Sequence, residues 1–272
     1  MKVRTIASLI IVPVVLLISL ATPPLVSALC WGLLAAIGAY ELLHSAKLVR
    51  QPRMVCYSMA AAFLMSIWSY FGAPHIVAVV IILMFFVLLF VEMMLSEMKI
   101  PFVRVALCFA GGIIIPYLLC ALVRILVMPL GRYYILMPFT IAFSSDCCAY
   151  LVGCKFGKRK LAPLISPKKS VEGVLGGLLG AIVCMIGYGL VLQHGFDFRV
   201  NYIFVIVYAV VGTVAGVFGD LCFSVIKRQT GIKDYGNLIP GHGGVLDRFD
   251  SMIIVAPLVE IMLTLMPMAV KG

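Results

Sequence analysis

Apolar runs of about 20 residues recur along the whole chain, the number that crosses ~30 Å of hydrocarbon as a helix. Short polar breaks separate them. Read by length and turn signals, the pattern predicts nine spans, at roughly 5–21, 24–44, 54–71, 74–96, 103–123, 133–153, 172–193, 202–227 and 248–268. Pro13, Pro116 and Pro138 fall inside spans and are expected to kink them. The connections are too short for a soluble domain. The predicted fold class is therefore all-α, a polytopic transmembrane helical bundle forming a single integral membrane domain over 1–272. Residues 1–132 form the plainer spans, and 133–272 form spans joined by two polar blocks.

Composition agrees with this pattern. The chain is 64% hydrophobic and 12% charged, against about 25% charged in a soluble domain. The first apolar run is long for a cleaved signal peptide, and the second follows almost at once after Pro23-Pro24. The nine cysteines read as small buried hydrophobes such as Cys30, Cys108, Cys120 and Cys184, and Cys147, Cys148 and Cys154 lack paired zinc spacing. No disulfide framework follows from them.

Net charge is +10, and its distribution gives it meaning. With the N-terminus placed in the cytoplasm, 17 of the 21 Lys and Arg fall on the inside. Arg124, Arg132, Arg199 and Lys271 fall outside. This asymmetry fits the positive-inside rule and puts the C-terminus outside. Both polar blocks then face the cytoplasm, where nucleotides are. The positive charge is topological and suits anionic membrane lipid and a phosphate-bearing substrate; no nucleic acid is expected as a partner.

The first block, SVIKRQTGIKDYGNLIPGHGGVLDRFD, runs from Ser224 to Asp250. Ionisable groups beside membrane spans are costly and mark function. Asp220, Ser224 and Lys227 stand at i, i+4 and i+7, on one helical face. Asp247 and Asp250, spaced i, i+3, are expected to open the last span on a common face. Oxygen ligands without His or Cys suit Mg²⁺, so Asp220, Asp247 and Asp250 are candidate metal ligands. The alternative for Asp220 is a structural ion pair with Lys227 or Arg248. Between these acids, Gly241 to Gly244 can turn the backbone and aim consecutive N–H groups at an anion. Lys227, Arg228, Lys233 and Arg248 flank this loop and turn it toward phosphate. His242 is equally a hydrogen-bonded loop histidine or a catalytic one.

The second block is SSDCCAYLVGCKFGKRKLAPLISPKKSVEG, Ser144 to Gly173. Asp146, Tyr150 and Gly153 share a face of the sixth span. A basic loop follows, and Glu172 opens the next span. Topology explains the lysines but not the two bordering acids, which suggest a site. Glu41 reads as the interfacial end of the second span, and Glu260 as a structural or subunit contact.

Taken together, these residues resemble the phosphatidate cytidylyltransferase (CDP-diacylglycerol synthase) family. The first block carries the pattern S-x-x-K-R-x4-K-D-x5-P-G-H-G-G-x-x-D-R-x-D. The second is similar to D-x-x-A-Y-x-x-G followed by S-P-K-K-S-x-E-G, through Asp146, Tyr150, Ser166, Lys168, Lys169 and Glu172. Val171 departs from the pattern, which has an aromatic there, and the basic residue before Phe156 is shifted. Glu41 in AYELL resembles a recurring acid of the family. The resemblance implies a nucleotidyltransferase that converts CTP and phosphatidic acid to CDP-diacylglycerol and pyrophosphate. It implies Mg²⁺, with a second cation such as K⁺ consistent, and a homodimer. It makes Asp220, Asp247 and Asp250 metal-holding. Lys227, Arg228, Lys233 and Arg248 would hold the triphosphate, and Ser224, His242, Gly243 and Gly244 would line the nucleotide side. Ser166, Lys168 and Lys169 would contact either substrate. With no long soluble extension, a bacterial inner membrane is the expected location.

Two readings compete. A transporter would use Asp146, Asp220 and Glu260 as a cation path, but it predicts inverted repeats, and none is visible. A CDP-alcohol phosphotransferase would carry a DGxxAR helix motif, which this chain lacks.

Overall fold

A computed structural model of the chain describes residues 15, 17–72, 74–97, 99–238 and 243–271. The first expected span, 5–21, with Pro13, lies almost wholly outside the described residues. Among those described, seven helices are long and apolar enough to cross a membrane: Pro24–Ser45, Pro52–Phe71, His75–Leu95, Phe102–Val127, Gly131–Phe156, Val171–Phe196 and Tyr202–Gln229. A shorter apolar helix, Met252–Leu265, follows. Each coincides with an expected run. The chain forms two compact units, residues 1–131 with 227–249, and residues 132–226 with 250–272.

In the first unit, α1 (Pro24–Tyr40) and α2 (Pro52–Phe71) each begin with proline at the first helical turn, where its missing N–H costs nothing. Small residues bring the two together: Ala28, Ala35 and Ala39 are buried, and Ser66 donates to the Ala28 carbonyl across the pair at 2.7 Å. Helix α1 runs on into a π-helical turn, Glu41–Ser45, and Gly72 at φ 53° caps α2. Helix α3 (His75–Leu95) buries only Phe85 and Leu89 and turns the rest of its apolar surface outward, as lipid allows. Helix α4 (Phe102–Val127) is interrupted by a second π turn, Ala110–Ile114, just ahead of Pro116. The expected disturbance at Pro116 takes this form, because proline cannot donate to the preceding turn.

In the second unit, α5 (Leu136–Phe156) accommodates Pro138 in its first turn. It leads through a hairpin of β1 (Lys160–Ala162) and β2 (Ser166–Ser170), antiparallel with Lys160 opposite Ser170, into α6 (Val171–Phe196). Ser170 caps α6 by accepting the Gly173 N–H at 3.1 Å. Helices α5 and α6 lie almost backbone to backbone. A Cβ on Gly177 would sit 2.7 Å from the Ser145 carbonyl oxygen, and one on Gly173 would sit 2.8 Å from that of Ala149. After β3 (Phe198–Val200) comes α7 (Tyr202–Gln229), whose residues from Lys227 onward belong to the first unit. The turn α8 (Leu246–Phe249) precedes α9 (Met252–Leu265), and β4 (Ala269–Lys271) pairs antiparallel with β3. The two short ladders are additions to the all-α expectation.

Candidate active site

Helix α7 presents Thr213, Val217 and Asp220 along one stripe, at i, i+4 and i+7. The stripe forms one wall of a cavity of about 240 Å³ in the second unit. Asp146, Ala149 and Tyr150 of α5 face it, as do Lys168 and Lys169 of β2 and Gly173, Val174 and Gly177 of α6. One end is charged. Lys169 Nζ stands 2.5 Å from Asp220 Oδ2, and Ser224 donates to Asp220 Oδ1 at 3.1 Å. The Asp220 and Lys169 side chains are about a quarter and a fifth exposed (27% and 21%), so the pair is open enough to exchange partners. The walls beyond are apolar. The spacing of Asp220 and Ser224 predicted this contact. The alternative reading of Asp220 is an ion pair with Lys227 or Arg248; the ion pair it makes is with Lys169 of β2.

Asp146 and Tyr150 share the cavity as their spacing predicts, although both are exposed rather than sunk in the bundle. Ser166 starts β2 and is half-buried, off the cavity lining. Glu172 has turned elsewhere. Its carboxylate accepts the Lys158 N–H at 3.1 Å and the Arg159 N–H at 3.1 and 3.2 Å, clasping the basic loop to the start of α6.

The glycine-rich block gathers on two carboxylates in the first unit. Asp247 is 7% exposed. Its Oδ1 takes Lys227 Nζ at 2.8 Å, while Oδ2 accepts the Tyr235 N–H at 2.7 Å and the Gly244 N–H at 3.0 Å. The Lys227 ammonium also stands 5.3 Å from the centre of the Tyr235 ring. Glu41, 3% exposed in its π turn, accepts the Val245 N–H at 3.0 Å and the Leu246 N–H at 2.8 Å, one on each oxygen. The backbone approaches so closely that a Cβ on Gly244 would collide with the Glu41 carboxylate. Gly243 needs its glycine twice: φ is +86°, and a Cβ there would meet Asp247 Oδ2 at 2.8 Å.

Of the loop expected to turn its N–H groups to a phosphate, Gly241 and His242 lie outside the described residues, and the N–H groups of Gly244, Val245 and Leu246 go to Asp247 and Glu41 instead. Glu41 is the member that sequence reasoning valued least, although an acid inside the apolar run AYELL was a signal for it. Arg228, Lys233 and Arg248 are exposed around this core. His242 lies outside the described residues. Asp247 falls in α8 and Asp250 in the turn after it, with the Asp250 carboxylate accepting the Ser251 N–H at 2.8 Å. The common helical face expected for these two is thus divided between separate short elements.

The carboxylates are hard oxygen donors without His or Cys, the set that suits a small divalent cation. Among the described residues, however, no three acidic, His or Cys side chains gather closely enough to hold a metal ion, and Asp220 has its Oδ2 on the Lys169 ammonium and its Oδ1 on Ser224. Asp247 has its oxygens engaged by two amides and Lys227.

A model of the cytidylyltransferase family matches residues 2–266. Part of the chain is similar to three bacterial proteins named phosphatidate cytidylyltransferase. Identity is 41% with that of Staphylococcus haemolyticus, 44% with that of Staphylococcus epidermidis and 43% with that of Staphylococcus aureus, each over 133 residues. That stretch is 49% of this chain and 50% of each relative, so the chain spans about half the length of the curated relatives it matches. With the family model covering nearly all 272 residues, the chain belongs to the cytidylyltransferase family.

Proposed function

We propose that this chain is a phosphatidate cytidylyltransferase, joining CTP and phosphatidic acid into CDP-diacylglycerol with release of pyrophosphate. The observation that carries this reading is the cavity of α5, α6 and α7. It has a Lys169–Asp220 pair at its mouth and apolar walls within membrane-spanning helices, which is the shape of an amphiphile with a phosphate head.

The chemistry asked of the protein is modest. A phosphate oxygen of phosphatidate attacks the α-phosphorus of CTP, a new P–O bond forms, and the bond to the bridging oxygen breaks toward pyrophosphate. The attacking phosphate is already ionised near neutral pH, so no general base is required. Both partners are anionic, so catalysis is charge neutralisation and positioning. Lys168 and Lys169 hold the acceptor phosphate. Arg228, Lys233 and Arg248 hold the triphosphate, and Lys227 fixes Asp247 beneath them. Asp220 is the carboxylate offered to Mg²⁺; the parts given to Asp247 and Asp250 rest on sequence spacing and the family resemblance, and a second cation such as K⁺ on the resemblance alone. When bound, magnesium would neutralise phosphate oxygens and the departing pyrophosphate. Nine spans with the N-terminus inside, both polar blocks at the cytoplasmic face of a bacterial inner membrane, and a homodimer complete the proposal.

The test is detergent-solubilised protein with phosphatidic acid and α-³²P-labelled CTP, with and without Mg²⁺. Label in a chloroform-soluble product that depends on Mg²⁺ is the expected result. A folded preparation that leaves all label in water would overturn the reading.

A further inference from the structure

Thr213 is 1% exposed, lines the cavity, and its hydroxyl has no hydrogen-bond partner. A threonine inside a helix ordinarily returns its hydroxyl to a carbonyl of the preceding turn, and a buried hydroxyl left unmet costs about 1–3 kcal/mol. The same cavity is lined by the apolar Val174, Gly177 and Val217 and by Ser145, whose hydroxyl donates to the Ala142 carbonyl at 3.0 Å. The hydroxyl is therefore placed for a group that a ligand brings.

The place limits what that group is. Thr213 lies seven residues from Asp220 along α7, about 10 Å deeper at 1.5 Å per residue. At about 240 Å³ the cavity is below the roughly 300–1,000 Å³ that encloses a whole drug-sized ligand. It therefore takes part of a larger molecule. A glycerophospholipid with its phosphate at Lys169 carries one kind of polar atom a few bonds further in, the ester carbonyl oxygens, which only accept. A threonine hydroxyl can donate. Resting on the phosphatidate reading above, we propose that the cavity seats the glycerol-ester shoulder of the lipid acceptor and that Thr213 Oγ donates to an acyl ester carbonyl. Thr213 is thus a specificity residue for ester-linked over ether-linked lipid.

The test leaves out CTP. The purified full chain in detergent is titrated with short-chain diacyl phosphatidic acid and with its dialkyl ether analogue, and binding is read by calorimetry. The wild type is expected to bind the ester about three- to tenfold tighter, the worth of one hydrogen bond. Thr213→Val, nearly the same shape, should remove that preference by weakening ester binding alone, and Thr213→Ser should keep it. Equal affinities in the wild type, or a Thr213→Val loss shared by both lipids, would overturn the role of Thr213 while leaving the phosphatidate reading in place. Failure to bind either lipid would overturn the acceptor assignment itself, and this inference with it.

Discussion

Replacing Glu41 by Gln tests whether one buried carboxylate organises the glycine-rich block. Its two oxygens each hold one backbone amide, Val245 and Leu246, some 200 positions away in the chain. A hydrogen bond to a charged acceptor contributes about 1.5–3 kcal/mol, so losing both has a ceiling of about 3–6 kcal/mol. Glutamine keeps one carbonyl oxygen for one amide and turns an NH₂ donor against the other. The expected cost of Glu41→Gln is half the ceiling, about 1.5–3 kcal/mol. That free energy should appear as local opening of the block rather than global unfolding. At 1.4 kcal/mol per factor of ten, backbone amides in 243–249 should exchange with deuterium roughly ten- to a hundredfold faster. Hydrogen-exchange mass spectrometry on the detergent-solubilised protein reads this directly, with the α2 peptides as an internal control expected to stay unchanged. Unaltered protection of 243–249 in the variant would refute the reasoning, since the amides would then be held by something other than Glu41.

Asp220→Asn keeps the size of the side chain and an acceptor for Ser224 but removes the charge beside Lys169; lipid labelling from CTP should fall by about 100-fold or more with the thermal midpoint little changed. Near-normal Mg²⁺-dependent activity would remove Asp220 from the metal role. Gly244→Ala, whose Cβ would enter the Glu41 carboxylate, should destabilise by about 1–3 kcal/mol. Gly231→Ala, at φ +72° with nothing within 4 Å of a Cβ, should cost about 1 kcal/mol from backbone conformation alone. Equal thermal shifts for the two would sink the packing argument. Glu172→Ala releases the Lys158 and Arg159 amides, so trypsin should cut the basic loop faster; an unchanged digestion rate would mean the clasp contributes nothing.

The spans were legible because an apolar run of membrane length has few other folds open to it, and because prolines mark the starts of α1 and α2. The two π turns were not. Nothing in ELLHS or AGGII has a period that announces a widened turn, and Gly112, which approaches the Ser58 backbone, owes its place to a helix 50 residues away. The three-residue strands of both ladders are too short to carry alternation. The last helix begins later than the apolar pattern implied, since the Asp250 carboxylate accepts the next residue's N–H in a turn. Within the site the same division holds. Asp220 and Ser224 were readable because both lie on one helix, whereas Lys169 with Asp220, and Glu41 with Val245 and Leu246, are tertiary meetings that no spacing encodes.

The glycine-rich loop changes meaning once its amides are traced. A run of glycines beside arginines and lysines suggests backbone N–H groups cradling a phosphate. Here the N–H groups of Gly244, Val245 and Leu246 are already given to Asp247 and Glu41, and the glycines are small because these carboxylates stand where a Cβ would be. Both acids are nearly inaccessible, so each needs several donors to offset the loss of water, and the loop supplies them from its own backbone. Outside this core the side chains of Arg228, Lys233 and Arg248 are exposed, on a scaffold whose anionic centre is neutralised by amides and by Lys227; on the proposed reading it is this side-chain charge that meets the triphosphate. On that reading, the segment from Gly244 to Leu246 is hydrogen-bonded within the protein before a substrate arrives, and Arg248 follows directly from it. Less ordering entropy would then be lost on binding, and the charge that the proposed phosphoryl chemistry needs would be positioned without drawing on the Gly244, Val245 and Leu246 amides.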